Sequence, residues 1–305
     1  MSVEAVASKL ETRRPSGGGA RPGVTLLWLL VAPAAVFFIA FFLFPVASML
    51  AIALDRPVAG VVAAKGDFTL VNFIRFFSQP QYYMAILRTI EISVVTALAA
   101  AILGYPLAFV IAKTENPARN TFLMILVLAS MQLDTVIRLY GLMVLMGDNG
   151  LINGALRRWG VIGAPIPLMY DMFGVIAGDV QLTLPFMVLS LIGPIRDIHP
   201  SLEEAARSLG ASRWATFRAI TLPLSMPGIL AGTLLVFALT SSNYVAPALM
   251  GGWKVVVLPI HIYEQVSNGG HWQFGAAISA ILFFVNLAAI FIYQAVASRT
   301  AGGRA

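Results

Sequence analysis

The sequence predicts an all-α membrane protein with six transmembrane helices, and three observations carry that expectation. Of its 305 residues, 59% are hydrophobic and 11% are charged, whereas soluble domains carry about 25% charged residues. Mean hydropathy is +0.84. Six apolar runs are each long enough to cross a bilayer core of about 30 Å, which takes roughly 20 residues at a helical rise of about 1.5 Å.

The first run covers 24–54 and can span with tilt, or with a kink at Pro33 or Pro45. The segment before it, 1–23, is rich in Gly, Pro and Arg and is expected to be a disordered cytoplasmic tail. A secretory signal is the alternative for this end, but the run that follows is too long for a cleaved apolar core. The second run covers 84–112. The third, 121–146, contains Asp134 and Arg138, and the fourth, 172–195, contains Asp179. The fifth and sixth cover 219–250 and 274–297, so 24–298 forms the membrane domain and 299–305 a second cytoplasmic tail. Pro106, Pro185 and Pro227 fall inside runs, which is tolerable where neighbouring helices satisfy the freed carbonyls.

Charge placement sets the expected orientation, because short cytoplasmic segments retain Lys and Arg. With the amino terminus inside, twelve of the 20 basic residues fall on the cytoplasmic side, seven fall outside, and Arg138 lies within a run. Both termini and the loop at 196–223 are then cytoplasmic. This asymmetry accounts for the formal charge of +6 and gives no indication of nucleic-acid binding. Trp28, Trp253 and Trp272 fall near run ends, as bilayer-interface anchors do.

Several chemistries are excluded by what the chain lacks. Without cysteine there is no disulfide, thiolate metal site or cysteine nucleophile. No G-x-x-x-x-G-K-[ST] loop is present to cradle phosphates, so energy has to come from another polypeptide. There is no H-E-x-x-H, and His199, His261 and His271 lack metal-ligand spacing, so no metal site is expected. A membrane enzyme would need a catalytic constellation that the sequence does not display. A gradient-driven secondary transporter of a small polar solute is the alternative function class, marked by an inverted repeat with paired broken helices.

Ionisable groups inside the runs are candidates for a solute path, because a charge at bilayer depth is costly unless it meets a partner or water. Glu91 lies about seven residues below the outer end of its run, roughly 10 Å deep. Asp179 is at similar depth. Asp134 and Arg138 are spaced i, i+4 and can either pair along one helix face or line the path. Glu91 and Asp179 have no intrahelical cation and serve either as cavity lining or as polar helix–helix contacts. Three carboxylates and one guanidinium sharing a vestibule would leave a balance of minus two, attractive to a cationic solute. Asn243 and Tyr244, near the outer end of the fifth run, are secondary candidates.

The loop at 196–223 reads as two short helices. Ser201-Leu202-Glu203-Glu204 has the form of a capping box. Leu202, Ala205, Ala206 and Leu209 then form one apolar stripe, with Glu203, Glu204, Arg207 and Ser208 opposite. Gly210 suits a left-handed helix end, and Ser212 can cap a second helix carrying Trp214, Phe217 and Ile220 toward Pro223. The product is a compact knob whose small alanines allow close approach to a partner; an ordinary interfacial amphipathic hairpin is the alternative.

Glu204-Ala205-Ala206, then three residues, Gly210, nine residues, Ile220, Leu222 and Pro223 resembles the loop by which the membrane subunits of ABC importers engage their ATPase. The resemblance covers most of the chain. It includes Gly104-Tyr105-Pro106 leading to Ala112-Lys113, Ile137-Arg138-Leu139-Tyr140-Gly141-Leu142, Leu202 through Ser212, Met226-Pro227-Gly228-Ile229, Leu249-Met250-Gly251-Gly252 and Phe274-Gly275-Ala276-Ala277. Within that family it points to the first of the two permeases in spermidine/putrescine-type importers. The resemblance implies a type I ABC importer permease fold with a cytoplasmic coupling helix, in the inner membrane of a bacterium. It implies ATPase coupling through Glu203, Glu204, Ala205, Ala206, Leu209, Gly210 and Ala211. The implied partners are a second, different permease, two ATPase subunits holding ATP and Mg, and a periplasmic substrate-binding protein; this chain itself holds no cofactor.

Overall fold

The computed structural model describes residues 24–62 and 68–302, with side chains for 31–62 and 68–295. The expected tail at 1–23, the Trp28 side chain and residues 303–305 of the other tail lie outside the described residues. Every regular element among the described residues is helical. The chain divides into two compact units, one reaching Met49 and one starting at Leu50.

Helices α1 (Val24–Phe38) and α2 (Phe44–Ala53) are joined by a π-helical turn at Ile39–Leu43, and together they carry the first expected span. The turn has a local cause. Pro45 cannot donate to the carbonyl four residues back and its ring would strike it, so the ladder widens and Phe44 N reaches Ile39 O instead. Phe37 stacks on Phe41 at 4.7 Å and Phe38 on Phe42 at 4.8 Å, and this stretch is apolar around its circumference, as a lipid-facing helix is.

The second unit continues with α3 (Val71–Ser78), α4 (Pro80–Lys113), α5 (Pro117–Gln132), α6 (Thr135–Met146), α7 (Leu151–Arg158) and α8 (Met172–Arg196). The short α9 (Pro200–Ser208) and α10 (Arg213–Thr216) follow, and a π turn at Phe217–Thr221 leads into α11 (Leu222–Ser241). The chain ends with α12 (Val245–Met250), α13 (Leu258–Tyr263), a π turn at Glu264–Asn268 and α14 (Trp272–Gly302).

Among the described residues, six stretches are long and apolar enough to cross a membrane: Val31–Ala53, Pro80–Lys113, Thr135–Arg158, Met172–Arg196, Arg213–Ser241 and Trp272–Ala295. The second, fourth and sixth agree with the expected runs. The third is corrected, because 121–146 is not one helix. Residues Leu133 and Asp134 are extended, and Asp134 caps α6 by accepting from Val136 N at 2.8 Å and Ile137 N at 3.3 Å. An aspartate satisfies two orphan amides there, which outweighs continuing a helix through it. The fifth is corrected too: α11 stops at Ser241, and residues 242–244 are non-helical before α12 resumes.

The core is the mutual packing of α4, α8 and α11. Ala97, Ala100 and Ala108 of α4 and Val236 of α11 meet Met187, Leu191 and Ile195 of α8. Small residues let the backbones close in, which is how membrane helices gain contact when lipid is as apolar as their side chains. At Gly228 an added Cβ would lie 2.9 Å from both Ser190 O and Pro194 Cγ. Two further clusters complete the unit, one around Leu139, Val175 and Met250, the other around Phe76, Tyr82 and Phe274. Tyr82 meets Phe274 edge-on at 5.0 Å, and the Arg75 guanidinium lies 4.2 Å from the centre of the Phe274 ring.

A buried amide fixes the loop after α6. Asn153 donates to Gly147 O at 3.1 Å and Ile166 O at 3.0 Å, and accepts from Ile166 N at 2.9 Å.

Candidate functional site

The loop at 196–223 forms the predicted pair of short helices, with one change at its start. The helix α9 begins a residue earlier than a capping box at Ser201 requires. Pro200 occupies its first turn, where a fixed φ and a missing N–H are no loss, and His199 is the cap, its Nδ1 accepting from Ser201 N at 3.3 Å. The Ser201 hydroxyl lies 2.8 Å from the same ring nitrogen and is not itself the cap.

The far end follows the expectation. Gly210 adopts φ +88°, its N–H donates to Arg207 O at 2.9 Å, and Ala211 N donates to Ala206 O at 3.0 Å, the paired bonds of a Schellman ending. Ser212 then caps α10, its hydroxyl accepting from Ala215 N at 3.2 Å. Trp214 stacks on Phe217 at 5.3 Å, and Phe217 meets Tyr105 of α4 edge-on at 5.6 Å. Tyr105, Phe109, Trp214, Phe217, Arg207 and Arg213 line a hollow of 570 Å³ beside the loop.

The two faces of α9 differ from the simple division into apolar and charged. Leu202, Ala205 and Leu209 are uncovered, Leu209 at 89% exposure, and Glu204 is exposed beside them. Glu203 was expected on the open polar face but turns inward, with its side chain only 14% exposed. Its Oε1 takes the Lys113 ammonium at 3.1 Å and the Thr221 hydroxyl at 2.9 Å, while Oε2 lies 4.0 Å from Arg207. Lys113 also donates to Ile198 O at 3.5 Å. Lys113 and Thr221 are site residues that sequence reasoning missed. They lie 90 and 18 positions from Glu203, and no local pattern links them.

The intramembrane groups do not assemble as a three-carboxylate vestibule. Asp134 is exposed and spent on the cap of α6, so it does not pair with Arg138; the Arg138 guanidinium donates to Gln181 O on α8 instead. Arg138, Thr135, Thr183 and Asn243 line a hollow of 270 Å³. Asp179 is fully buried behind it, its Oδ1 accepting from Asn243 Nδ2 at 2.6 Å and its Oδ2 without a hydrogen-bond partner. Asn243 Oδ1 accepts from Val245 N at 3.0 Å, so this one amide both starts α12 and ties the break in the fifth span to α8. Tyr244 stacks on Tyr263 at 4.7 Å. Glu91 is exposed on α4 and is not part of the hollow. The structure thus brings together Arg138, Asn243 and, behind them, Asp179, and leaves Glu91 and Asp134 apart.

The chain is similar to known proteins in sequence and in fold. The chain is 38% identical over 226 residues to the spermidine/putrescine transport system permease protein PotB of Escherichia coli, covering 74% of this chain and 82% of that protein. It is 34% identical over 225 residues to PotB of Haemophilus influenzae, covering 74% and 78%. Among solved structures, a bacterial ABC transporter involved in import of the acidic polysaccharide alginate superposes with a TM-score of 0.72 at 18% identity, covering 90% of this chain and 95% of that one. At that identity the likeness speaks for the fold alone, that of ABC importer permeases. The family model for the binding-protein-dependent transport system inner membrane component matches residues 24–302, and the chain belongs to that family.

Proposed function

We propose that this chain is one of two different permeases that together form the solute pathway of an ATP-driven importer. A separate pair of ATPase subunits holds ATP and Mg, and a periplasmic binding protein delivers the solute. Its termini and the loop at 196–223 face the cytoplasm, in keeping with the excess of Lys and Arg on that side. The observation that carries this reading is the knob at Pro200–Ser208, folded and capped at both ends yet uncovered at Leu202, Ala205 and Leu209. Family membership sets aside the gradient-driven carrier.

The solute is a polyamine or a related small cation. This rests on the spermidine/putrescine relatives and on groups suited to a cation, the stacked Tyr244 and Tyr263 and the exposed Glu91. Arg138 and Asn243 line the path, Asp134 lies at the start of the helix that bears Arg138, and Asp179 acts through Asn243 by holding it in place. ATP-driven closure of the ATPases draws the knob inward and opens the bundle to the binding protein; hydrolysis resets it.

Purification of the tagged chain from native membranes tests the assembly, and uptake of radiolabelled spermidine by membranes from a strain lacking the chain tests the solute. Stoichiometric capture of an ATPase and a second permease, with uptake restored by the intact chain, is the expected result. A lone homodimer, or spermidine uptake independent of the chain, overturns the reading.

A further inference from the structure

Glu203 and Lys113 occupy the place where four parts of the second unit meet. Lys113 is the last residue of α4, and its ammonium also reaches Ile198 O, in the link between α8 and α9. Glu203 is on α9, and its carboxylate also takes the hydroxyl of Thr221, which ends the π turn feeding α11. One ammonium and one carboxylate therefore connect the ends of α4 and α8, the knob, and the start of α11. The side chains are 23% and 14% exposed, so each ion depends on the other for the solvation it has lost. On the neighbouring position Glu204 points outward with Ala205.

Outside this pair the knob joins the spans through two short non-helical links. Gly210 is in a left-handed turn with nothing within 4 Å of where its Cβ would be, and on the other side the chain crosses 197–199 between α8 and α9. A push on the open face of α9 would be absorbed by those links unless something ties the helix to the spans. We infer that the Glu203–Lys113 pair, with Thr221, is that tie: it makes the knob move as one body with the ends of α4 and α11, and so converts ATPase motion into movement of the bundle. Glu203 and Lys113 are positioning residues here, acting through the knob and touching neither solute nor nucleotide. The inference rests on the importer reading above.

The test uses the complete transporter, with its partner permease, ATPases and binding protein, reconstituted in proteoliposomes, with spermidine transported per ATP hydrolysed as the readout. Glu203→Gln keeps a hydrogen-bonding group for Thr221 but removes the charge. It is expected to assemble with the partner subunits, while spermidine moved per ATP hydrolysed falls about fivefold or more. The swapped pair, Lys113→Glu with Glu203→Lys, is expected to recover at least half of that loss. Because the chain has no cysteine, Lys113→Cys with Glu203→Cys allows a second measurement. The double variant is expected to be uncoupled until a short thiol cross-linker joins the two positions, and coupled afterwards. A role confined to stability would lower the thermal midpoint of the complex without this rescue. If the intact complex is coupled and Glu203→Gln is equally coupled, or the cross-link restores nothing, the tie is wrong and the importer reading stands. If the intact chain captures no ATPase, both fall.

Discussion

Replacing Gly210 perturbs the knob without touching the bundle. At φ +88° a residue with a Cβ incurs about 1–2 kcal/mol of left-handed strain. A Cβ there would meet nothing within 4 Å, so no clash adds to that figure. Two backbone bonds depend on this conformation, Gly210 N to Arg207 O at 2.9 Å and Ala211 N to Ala206 O at 3.0 Å, and relaxing the turn forfeits both, about 1 kcal/mol net apiece. The smaller loss wins, so the turn is expected to hold and bear the strain. A penalty of 1–2 kcal/mol corresponds to roughly a 5–30-fold fall in the knob's formed-to-frayed ratio. Asparagine tolerates the left-handed region better than alanine, and a β-branched valine tolerates it least. Spermidine transported per ATP in proteoliposomes should therefore fall in the order Gly, Asn, Ala, Val, while the thermal midpoint of the bundle stays put. Full coupled uptake by Gly210→Val, or a valine variant better than asparagine, would refute the reasoning.

Three further outcomes follow from the geometry. Gly228→Ala places a Cβ 2.9 Å from Ser190 O and Pro194 Cγ and should destabilise the detergent-solubilised chain by about 1–3 kcal/mol, read as a lower thermal midpoint, whereas Gly193→Ala, inside α8 and meeting nothing within 4 Å, should not lower it. Asp179→Ala strands the Asn243 amide and should cost about 1–3 kcal/mol, but Asp179→Asn keeps an acceptor for it and should retain most uptake; an asparagine variant as damaged as alanine would show that the charge itself is needed. Glu91→Gln, at an exposed position outside the hollow, removes a charge that can attract a cation and should lower uptake of a cationic solute with no change in thermal midpoint; unchanged transport kinetics would show that Glu91 plays no part.

Much of the fold was legible because the bilayer imposes one requirement on every span. The runs at 84–112, 172–195 and 274–297 needed only length and hydropathy to be found. The two breaks were not legible by that measure, since hydropathy averages over a polar residue that ends one helix and starts another. Asp134 read as half of an i, i+4 pair because the helix was taken as continuous; it caps the helix that carries Arg138. Asn243 similarly starts α12 while holding Asp179. In the loop, Gly210 and Ser212 were readable because conformation and capping are decided by neighbours in sequence. Glu203 was not, because its inward turn depends on Lys113 and Thr221, which only the folded bundle brings near.

The amide of Asn153 has a consequence for encounters on its own face of the protein. By bonding Gly147 and Ile166 from one side chain, it holds the two ends of the intervening stretch at one point. Any partner that used this face would meet a stretch already held at both ends, with less chain entropy left to lose on contact.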